Sequence, residues 1–550
     1  MSPAATPRAQ FPRLAAHAIL SRLAVASAIF GIALITFFQF PGHTWLQQDT
    51  QIYAPILEHL RNPAVIDRDL VVQYPHVSFT LYDEVTLGLR RLTGLDFEYV
   101  LGGMQILCRA LGIWGIFLMA GAAGLDLWAA LTAASIFSLG AMIAGPSVLT
   151  FEYEPTPRAL AIPLIFCAIG LLSQRRDSAA GVVASAAFLI HPPTTVPFWL
   201  VLLWLGRRDW RRTVPLWCSL LGAIVILFVS EHLQPVIREQ QEFFTTLTTP
   251  QEAVQRMRAA YNWISTWWST LLLQYVVLYA LGLLALQRVR RDLPKELQTF
   301  AVILPALGML SMPLSYLLLE QLKWALVPQL QPMRVLLFVT AFTVIMGSFA
   351  ALKAKHVLES AAWFLLVFYI PMRVQLFDPP TLRLVLTALG LAAFAAVARS
   401  VSRPALFIAA VLAFVIIPGI GRVSNYPNLH TPEIADLSQW ARGNTPASAM
   451  FLFPDAEHKL YPGIFRAEAW RAVYVDWKSG GQVNYLKDFA GEWQTRWELI
   501  HRAGYGADSF RQYRGLGIDY VVVQEQNRVA GVEPVYRNGS YAVYRTSDPQ

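Results

Sequence analysis

Long uncharged runs recur along the chain from Ile19 to Pro418, separated by short charged stretches, and beyond Arg422 they stop. Runs of this length and apolarity predict membrane-spanning helices. Spans are expected near residues 19–40, 99–121, 125–145, 158–173, 213–230, 266–287, 298–319, 335–352, 357–371, 382–398 and 405–421, about 11 in all. Residues 179–205 are also apolar but are interrupted by His191-Pro192-Pro193-Thr194-Thr195, and both flanks are basic. Two arms of about 13 residues reach only about 20 Å each, less than a bilayer core, so this stretch predicts a short hairpin of broken helices buried among the others.

Between the first two spans, residues 41–98 carry two segments, 52–60 and 80–92, with apolar residues at helical spacing and charges between them. That pattern predicts helices lying on a membrane face. Asp67, Asp69, Asp83 and Glu84 fall among them and read as solvated loop charges. In the tail, short apolar runs alternate with turn residues at 450–454, 471–476, 519–523, 534–536 and 541–544. The last two flank Arg537-Asn538-Gly539-Ser540, a hairpin turn because Asn-Gly tolerates positive φ. Amphipathic helices are expected at 433–442 and 488–503, so the chain divides into a transmembrane part, 1–421, and a soluble α/β domain, 422–550.

Composition agrees: 55% of residues are hydrophobic and 15% charged, the balance of a polytopic membrane protein. The net charge of +8 does not imply nucleic-acid binding, because the basic residues sit in short loops between spans, where they set orientation. With the N-terminus cytoplasmic, Arg175-Arg176, Arg207 to Arg212, Arg288 to Arg291, Lys353 with Lys355, and Arg399 with Arg403 all fall on the cytoplasmic side. The opposite side is then the periplasm or cell exterior in a bacterium and the ER lumen in a eukaryote, and the Asn538-Gly539-Ser540 sequon does not decide; the bacterial inner membrane, with the C-terminal domain in the periplasm, is the expectation. No cleaved leader is expected, and Cys108, Cys167 and Cys218 lie in apolar runs and read as small core residues. No phosphate-cradling glycine motif for a nucleotide occurs.

Four places offer chemistry. Gln47-Gln48-Asp49 follows the first span closely, where a carboxylate near low dielectric has a tunable pKa; the plainer reading is the solvated start of a loop. Glu152 and Glu154 stand two apart in the next outer loop, a spacing that suits a divalent cation or sugar hydroxyls, unless Arg158 pairs with one of them. Arg334, behind Pro332, lies at the outer mouth of a span, where it either grips a phosphate with its fork of donors or snorkels. His191 sits at the helix break, as a substrate contact or simply as a satisfied helix end.

This layout of an acid after the first span, two amphipathic helices, a second acidic pair, broken helices, an outer Pro-x-Arg and a C-terminal outer domain resembles the GT-C superfamily of membrane glycosyltransferases. The segment Ala472-Val473-Tyr474-Val475-Asp476-Trp477-Lys478-Ser479-Gly480-Gly481 is similar to uncharacterised bacterial members. The resemblance implies transfer of a sugar from a polyprenyl-phosphate or diphosphate carrier to a glycan, lipid or protein acceptor on the outer face, among membrane lipids. It implies Asp49 as general base, Glu152 and Glu154 holding substrate or a Mg or Mn ion, Arg334 on the carrier phosphate, and Gln48 and His191 as further substrate contacts. Two features depart from the pattern: the single acid of Gln47-Gln48-Asp49 where many relatives carry two, and Glu-x-Glu in place of Asp-x-Asp. A flippase for lipid-linked sugars, or another multi-span transporter, is the alternative, and a scaffold without activity a third. Trp470, Trp477, Trp493 and Trp497 are expected either to stack on sugar rings or to form the core of the tail.

Overall fold

The computed structural model describes residues 11–75, 80–207, 209–233, 244–372 and 381–547. Among the described residues, six helices are long and apolar enough to cross a membrane: Phe97–Ala122, Trp210–His232, Ser269–Asp292, Lys295–Gln321, Val327–Lys353 and Thr381–Val401. Seven shorter apolar helices accompany them: Arg22–Phe38, Leu127–Ser138, Pro157–Ser173, Asp177–Ile190, Pro192–Gly206, Val357–Met372 and Arg403–Gly419. The chain is an integral multi-pass membrane protein. Each expected span has its helix, and the two arms of the broken hairpin are the helices on either side of His191, whose backbone (φ −154°, ψ 82°) leaves the helical region, which a following proline disfavours. One expected span falls short. The helix Leu127–Ser138 has 12 residues, about 18 Å, because Gly140 and Gly145 adopt positive φ and turn the chain into a two-stranded hairpin, β1 (Met142–Ile143) and β2 (Val148–Leu149). Arg208, within the basic stretch Arg207 to Arg212, lies outside the described residues.

Helices Phe97–Ala122 and Pro157–Ser173 make the most intimate pair in the bundle. A Cβ on Gly115 or Gly170 would collide with the facing backbone, so small residues set the close approach, as they commonly do between membrane helices. These two helices carry much of what positions the site. Cys108 and Cys167 are buried among them and Cys218 is exposed on another helix, all three as free thiols.

The tail folds around a five-stranded sheet of order β4-β3-β5-β7-β6. Here β3 is Met450–Leu452, β4 Ala472–Val473, β5 Tyr520–Gln524, β6 Tyr536–Arg537 and β7 Tyr541–Arg545. Strands β4, β3 and β5 run parallel, and β7 and β6 close the sheet as an antiparallel hairpin turning at Asn538-Gly539. Both faces are covered, so successive β5 residues enter different cores: Val521 and Val523 pack in one, Tyr520 and Val522 in the other. The amphipathic helices expected at 433–442 and 488–503 are Pro432–Asn444 and Lys487–Ala503. Both cores draw in residues from the membrane part, Leu70 and Val254 in one and Leu46 and Ala54 in the other.

The two helices expected in the 41–98 segment are Thr50–Arg61 and Tyr82–Thr93, close to the expected bounds, with a short helix Leu70–Gln73 between them. Its acids divide, against the expectation of solvated charges. Asp67 and Glu84 are exposed, but Asp69 is completely buried and Asp83 is 4% exposed. Asp69 is buried because it meets an equally buried guanidinium, Arg466 Nε at 2.7 Å, from the tail. Neither carboxylate oxygen of Asp83 has a hydrogen-bond partner among the described residues, and burial pushes its acid up to about 8. A neutral acid is the form such surroundings tolerate.

Candidate active site

Two acid-bearing loops are held together from inside the bundle. Arg109, in the helix Phe97–Ala122, donates to Thr36 O (2.6 Å), Gly42 O (2.8 Å) and Glu152 O (2.6 Å). Gln105, one turn earlier, donates to Glu152 O at 2.8 Å. A buried guanidinium needs several acceptors, and backbone carbonyls at the end of the first span and in the 150–156 loop supply them. The loop holding Asp49 and the loop holding Glu152 and Glu154 are thereby fixed to one helix.

Glu154 then takes over a task that Asp49 might have had. Its carboxylate accepts the backbone N–H groups of Gln47 (2.8 Å), Gln48 (2.5 Å) and Thr50 (3.0 Å). These lie at the N-terminus of the helix Thr50–Arg61, where unpaired amides and the helix dipole favour an anion. Asp49 occupies the N-cap position but makes no side-chain cap bond. With the amides satisfied from Glu154, the Asp49 carboxylate is left for another partner. Burial and the nearby Asp49 charge push the Glu154 acid up to about 7, against the pull of the amides.

That partner is Lys478, whose Nζ stands 2.5 Å from Asp49 Oδ1. Burial alone would raise the Asp49 pKa, but Lys478, with Arg158 and Arg334 behind it, holds the acid well below the usual carboxylate range. The Lys478 backbone is anchored through Asp476, which accepts Lys478 N (3.2 Å) and Ser479 N (3.4 Å) and is itself bound by Arg466 Nη2 at 2.5 Å. Arg158 Nε donates to Glu152 Oε1 at 2.6 Å, the pairing that the sequence left open. Arg334 forms no ion pair among the described residues, its Nε is buried without a hydrogen-bond partner, and its guanidinium carbon lies 5.7 Å from the centre of the Tyr261 ring.

Gln48, Asp49, Glu152, Glu154, His191 and Arg334 all line one cavity of about 430 Å³, together with Lys478, Arg258 and Tyr485. A second cavity of about 310 Å³ is walled by Val148, Ile190, Leu330, Pro332, Val335 and Phe338 among others, and by Asp83. Tyr53, Arg158, His191, Arg334 and Tyr485 line both. A polar chamber and an apolar one thus meet at two arginines. His191 caps the second arm of the broken hairpin, its Nδ1 lying 2.8 Å from Thr194 Oγ1 and 3.3 Å from Thr194 N.

The donors present do not assemble a metal centre. Among the described residues no three His, Cys, Asp or Glu side chains stand together, Glu152 is tied to Arg158, and Glu154 is saturated by amides. The tryptophans divide: Trp477 lines the cavity, and the others pack against neighbouring side chains. Trp493 is fully buried, its ring stacks on Trp497 at 5.2 Å, and Arg258 lies 3.8 Å from the Trp477 ring centre. Trp470 is packed by Arg442, 3.3 Å from its ring centre.

Three residues of the site escaped the sequence reading. Arg109 was marked only by being a lone charge inside a long apolar run, which in a membrane helix signals a fixed partner. Lys478 sits in the segment that carries the family resemblance, but nothing in the sequence brings it to Asp49. Arg258 has a faint signal in Gly480: a Cβ there would meet Arg258 Nε and Trp493 Cζ2, each at 2.5 Å.

Comparison with known proteins bears on the fold. The chain superposes on the crystal structure of ArnT from Cupriavidus metallidurans with a TM-score of 0.50 and 13% identity, over 98% of this chain and 100% of that one. An arabinofuranosyltransferase, AftD from Mycobacteria, matches with a TM-score of 0.45 and 14% identity over 96% of this chain and 41% of AftD. Residues 432–500 match the profile of a domain of unknown function, DUF6798. No curated protein sequence matches significantly. At this identity the likeness to ArnT establishes a shared fold.

Proposed function

We propose that this chain, which has the fold of the GT-C membrane glycosyltransferases, moves a sugar from a polyprenyl-phosphate carrier to an acceptor hydroxyl at the face of the bundle bearing the tail. The observation that carries the reading is the junction of the two cavities. A carrier lipid needs an apolar channel for its isoprenoid, a cation at its phosphate and a polar chamber for its sugar, and Arg334 and Arg158 stand where the apolar and polar chambers meet. In this reading Arg334 neutralises the leaving phosphate. Asp49 removes the acceptor proton as the hydroxyl attacks the anomeric carbon in line, with inversion, and the carrier phosphate leaves with the electrons of the broken glycosidic bond. Glu154 holds the loop of Asp49, Glu152 holds Arg158, and Gln48 and His191 contact the sugar. No step runs through a metal ion, so chelation leaves transfer unchanged. The N-terminus is cytoplasmic and the tail lies outside the bacterial inner membrane, where lipid-carried sugars are used.

The test is sugar transfer by the purified protein in lipid, with a panel of labelled polyprenyl-phosphate sugars. Wild type should transfer from at least one donor, Asp49→Asn should slow transfer about 10²- to 10⁴-fold, the usual contribution of a general base, and Arg334→Ala should chiefly raise the donor KM. No transfer from any donor, with carrier movement across vesicles instead, would overturn the reading in favour of a flippase.

A further inference from the structure

In the geometry just described the base is not ready to act. Its carboxylate is held by the Lys478 ammonium at 2.5 Å, and a carboxylate paired in that way is a poor acceptor for a hydroxyl proton. We propose that Lys478 exchanges partners, from the Asp49 carboxylate to the phosphate of the entering donor, so that arrival of the donor exposes the base. This inference rests on the transferase reading and adds a positioning residue to it.

Four observations support the exchange. Lys478 lines the same cavity as Arg334, and it forms an ion pair with no carboxylate other than Asp49 among the described residues. Its backbone cannot drift, because Asp476 holds Lys478 N and Ser479 N and is locked in turn by the fully buried Arg466. Its side chain can move, since an ammonium on a four-carbon stem carries three rotatable donors and demands no planar alignment. The pair it would leave is open to the cavity on its carboxylate side, where the Asp49 side chain is 41% exposed. A phosphate brings more charge and more acceptor oxygens than one carboxylate, and Arg334 is already there to hold it beside Lys478. The exchange makes and breaks no covalent bond.

The other groups around Asp49 do not substitute for Lys478. Arg158 is engaged by Glu152, Glu154 by the three amides, and Tyr53 and Tyr485 are held protonated by burial. Arg258 lies against Trp477 and donates to Trp477 O. Lys478 is therefore the group whose departure changes the state of the base.

The experiment measures binding of undecaprenyl phosphate, with no sugar attached, to the full-length protein in nanodiscs, for wild type, Asp49→Asn, Lys478→Met and the double variant. If Asp49 and phosphate compete for one ammonium, Asp49→Asn tightens binding about fivefold and Lys478→Met weakens it about tenfold. The gain from Asp49→Asn should then shrink to about twofold or less in the Lys478→Met background. An equal gain in both backgrounds would mean that Asn merely relieves charge repulsion, and would overturn the exchange. Lys478→Gln repeats the cycle should Lys478→Met fold poorly, as judged by its melting temperature. The readout is independent of transfer. Coupled binding in a protein that transfers from no donor would retain the exchange and overturn the transferase reading, whereas transfer with uncoupled binding would do the reverse. In transfer assays Lys478→Met should raise the donor KM more than it lowers kcat.

Discussion

Asp476 and Lys478 lie two residues apart on one loop, and each belongs to a set of ion pairs that ties the tail to the 41–98 segment, Asp476 through Arg466 and Lys478 directly. The two pairs differ in every respect that governs mobility. Asp476 shares Arg466 with Asp69, at 2.5 and 2.7 Å, and all three side chains are fully buried. Asp69 also accepts Val71 N and Val473 N, and Asp476 accepts Ser479 N, so the acids are satisfied by fixed donors. Lys478 meets Asp49 at the edge of a cavity, with side chains 13% and 41% exposed. A planar fork between two buried carboxylates has one arrangement, whereas an ammonium facing one half-exposed carboxylate has several. The immobile pair fixes the backbone from which the mobile one works.

Breaking the immobile pair should have the largest effect. Arg466→Met leaves Asp69 and Asp476 buried without a countercharge, and removing one partner of such a network costs about 3–5 kcal/mol. The expected outcome is a large fall in melting temperature, or failure to recover folded protein, together with loss of any transfer activity. Asp49→Asn, by contrast, should leave the unfolding free energy within about 1 kcal/mol of wild type, the limit for a half-exposed pair. Equal losses of stability from the two variants would erase the distinction. The pH dependence has a definite sign as well. Arg466 and Ser479 pull the Asp476 pKa down against its burial, so its contribution to stability is present above the ordinary carboxylate range and is lost as pH falls through and below it.

Glu154 gives a smaller effect and a sharper test, because it titrates near neutrality. Its acid is pushed up to about 7, so acidification from pH 8 to 6 protonates the carboxylate that clamps the amides of Gln47, Gln48 and Thr50. Transfer should fall about tenfold over that range as the loop of Asp49 loosens. Asp49 cannot supply this limb, being ionised throughout. Stability moves the other way: a raised folded pKa contributes below the ordinary value of 4.5 and is lost as pH rises through about 7. In Glu154→Gln the limb should vanish and transfer be uniformly low, since an amide nitrogen now faces backbone donors. A limb unchanged in Glu154→Gln would assign it to another group.

The helices were legible because each apolar run had to satisfy its own backbone in lipid, and the tail because short apolar runs bounded by turn residues mark strands buried on both faces. The helix Leu127–Ser138 stopped short because its glycines, read as part of an apolar run, were needed for positive φ. Within the site, Asp49, Glu152, Glu154, His191 and Arg334 were singled out by position relative to spans, and they do line one cavity. What position could not reveal is which of them is spoken for. Glu154 and Asp49 are equivalent in sequence, yet one is enclosed by amides and the other by a lysine more than 400 residues away. Asp69 was taken for a solvated charge for the same reason, since its partner Arg466 is 397 residues distant. Long-range ion pairs leave no periodicity to read.

The smallest expected effect comes from Gly480, and it separates the two pairs most finely. An alanine Cβ there would meet Arg258 Nε and Trp493 Cζ2, each at 2.5 Å, so one of them must yield. Trp493 is fully buried and its Nε1 donates to Asp476 O at 3.0 Å, whereas Arg258 is a long side chain at the cavity wall. The guanidinium should be the group displaced, at a cost of about 1–2 kcal/mol, toward the low end of overpacking because one neighbour is flexible. Since Asp476 stays locked by Arg466, the loop backbone and the stability of the tail should change little. Lys478, next to the ring that Arg258 leaves, should feel the change through the cavity alone. Gly480→Ala should therefore alter the donor KM a few-fold with a small fall in melting temperature. A fall as large as that of Arg466→Met would show that the loop is held by the packing of Gly480 and not by the buried arginine.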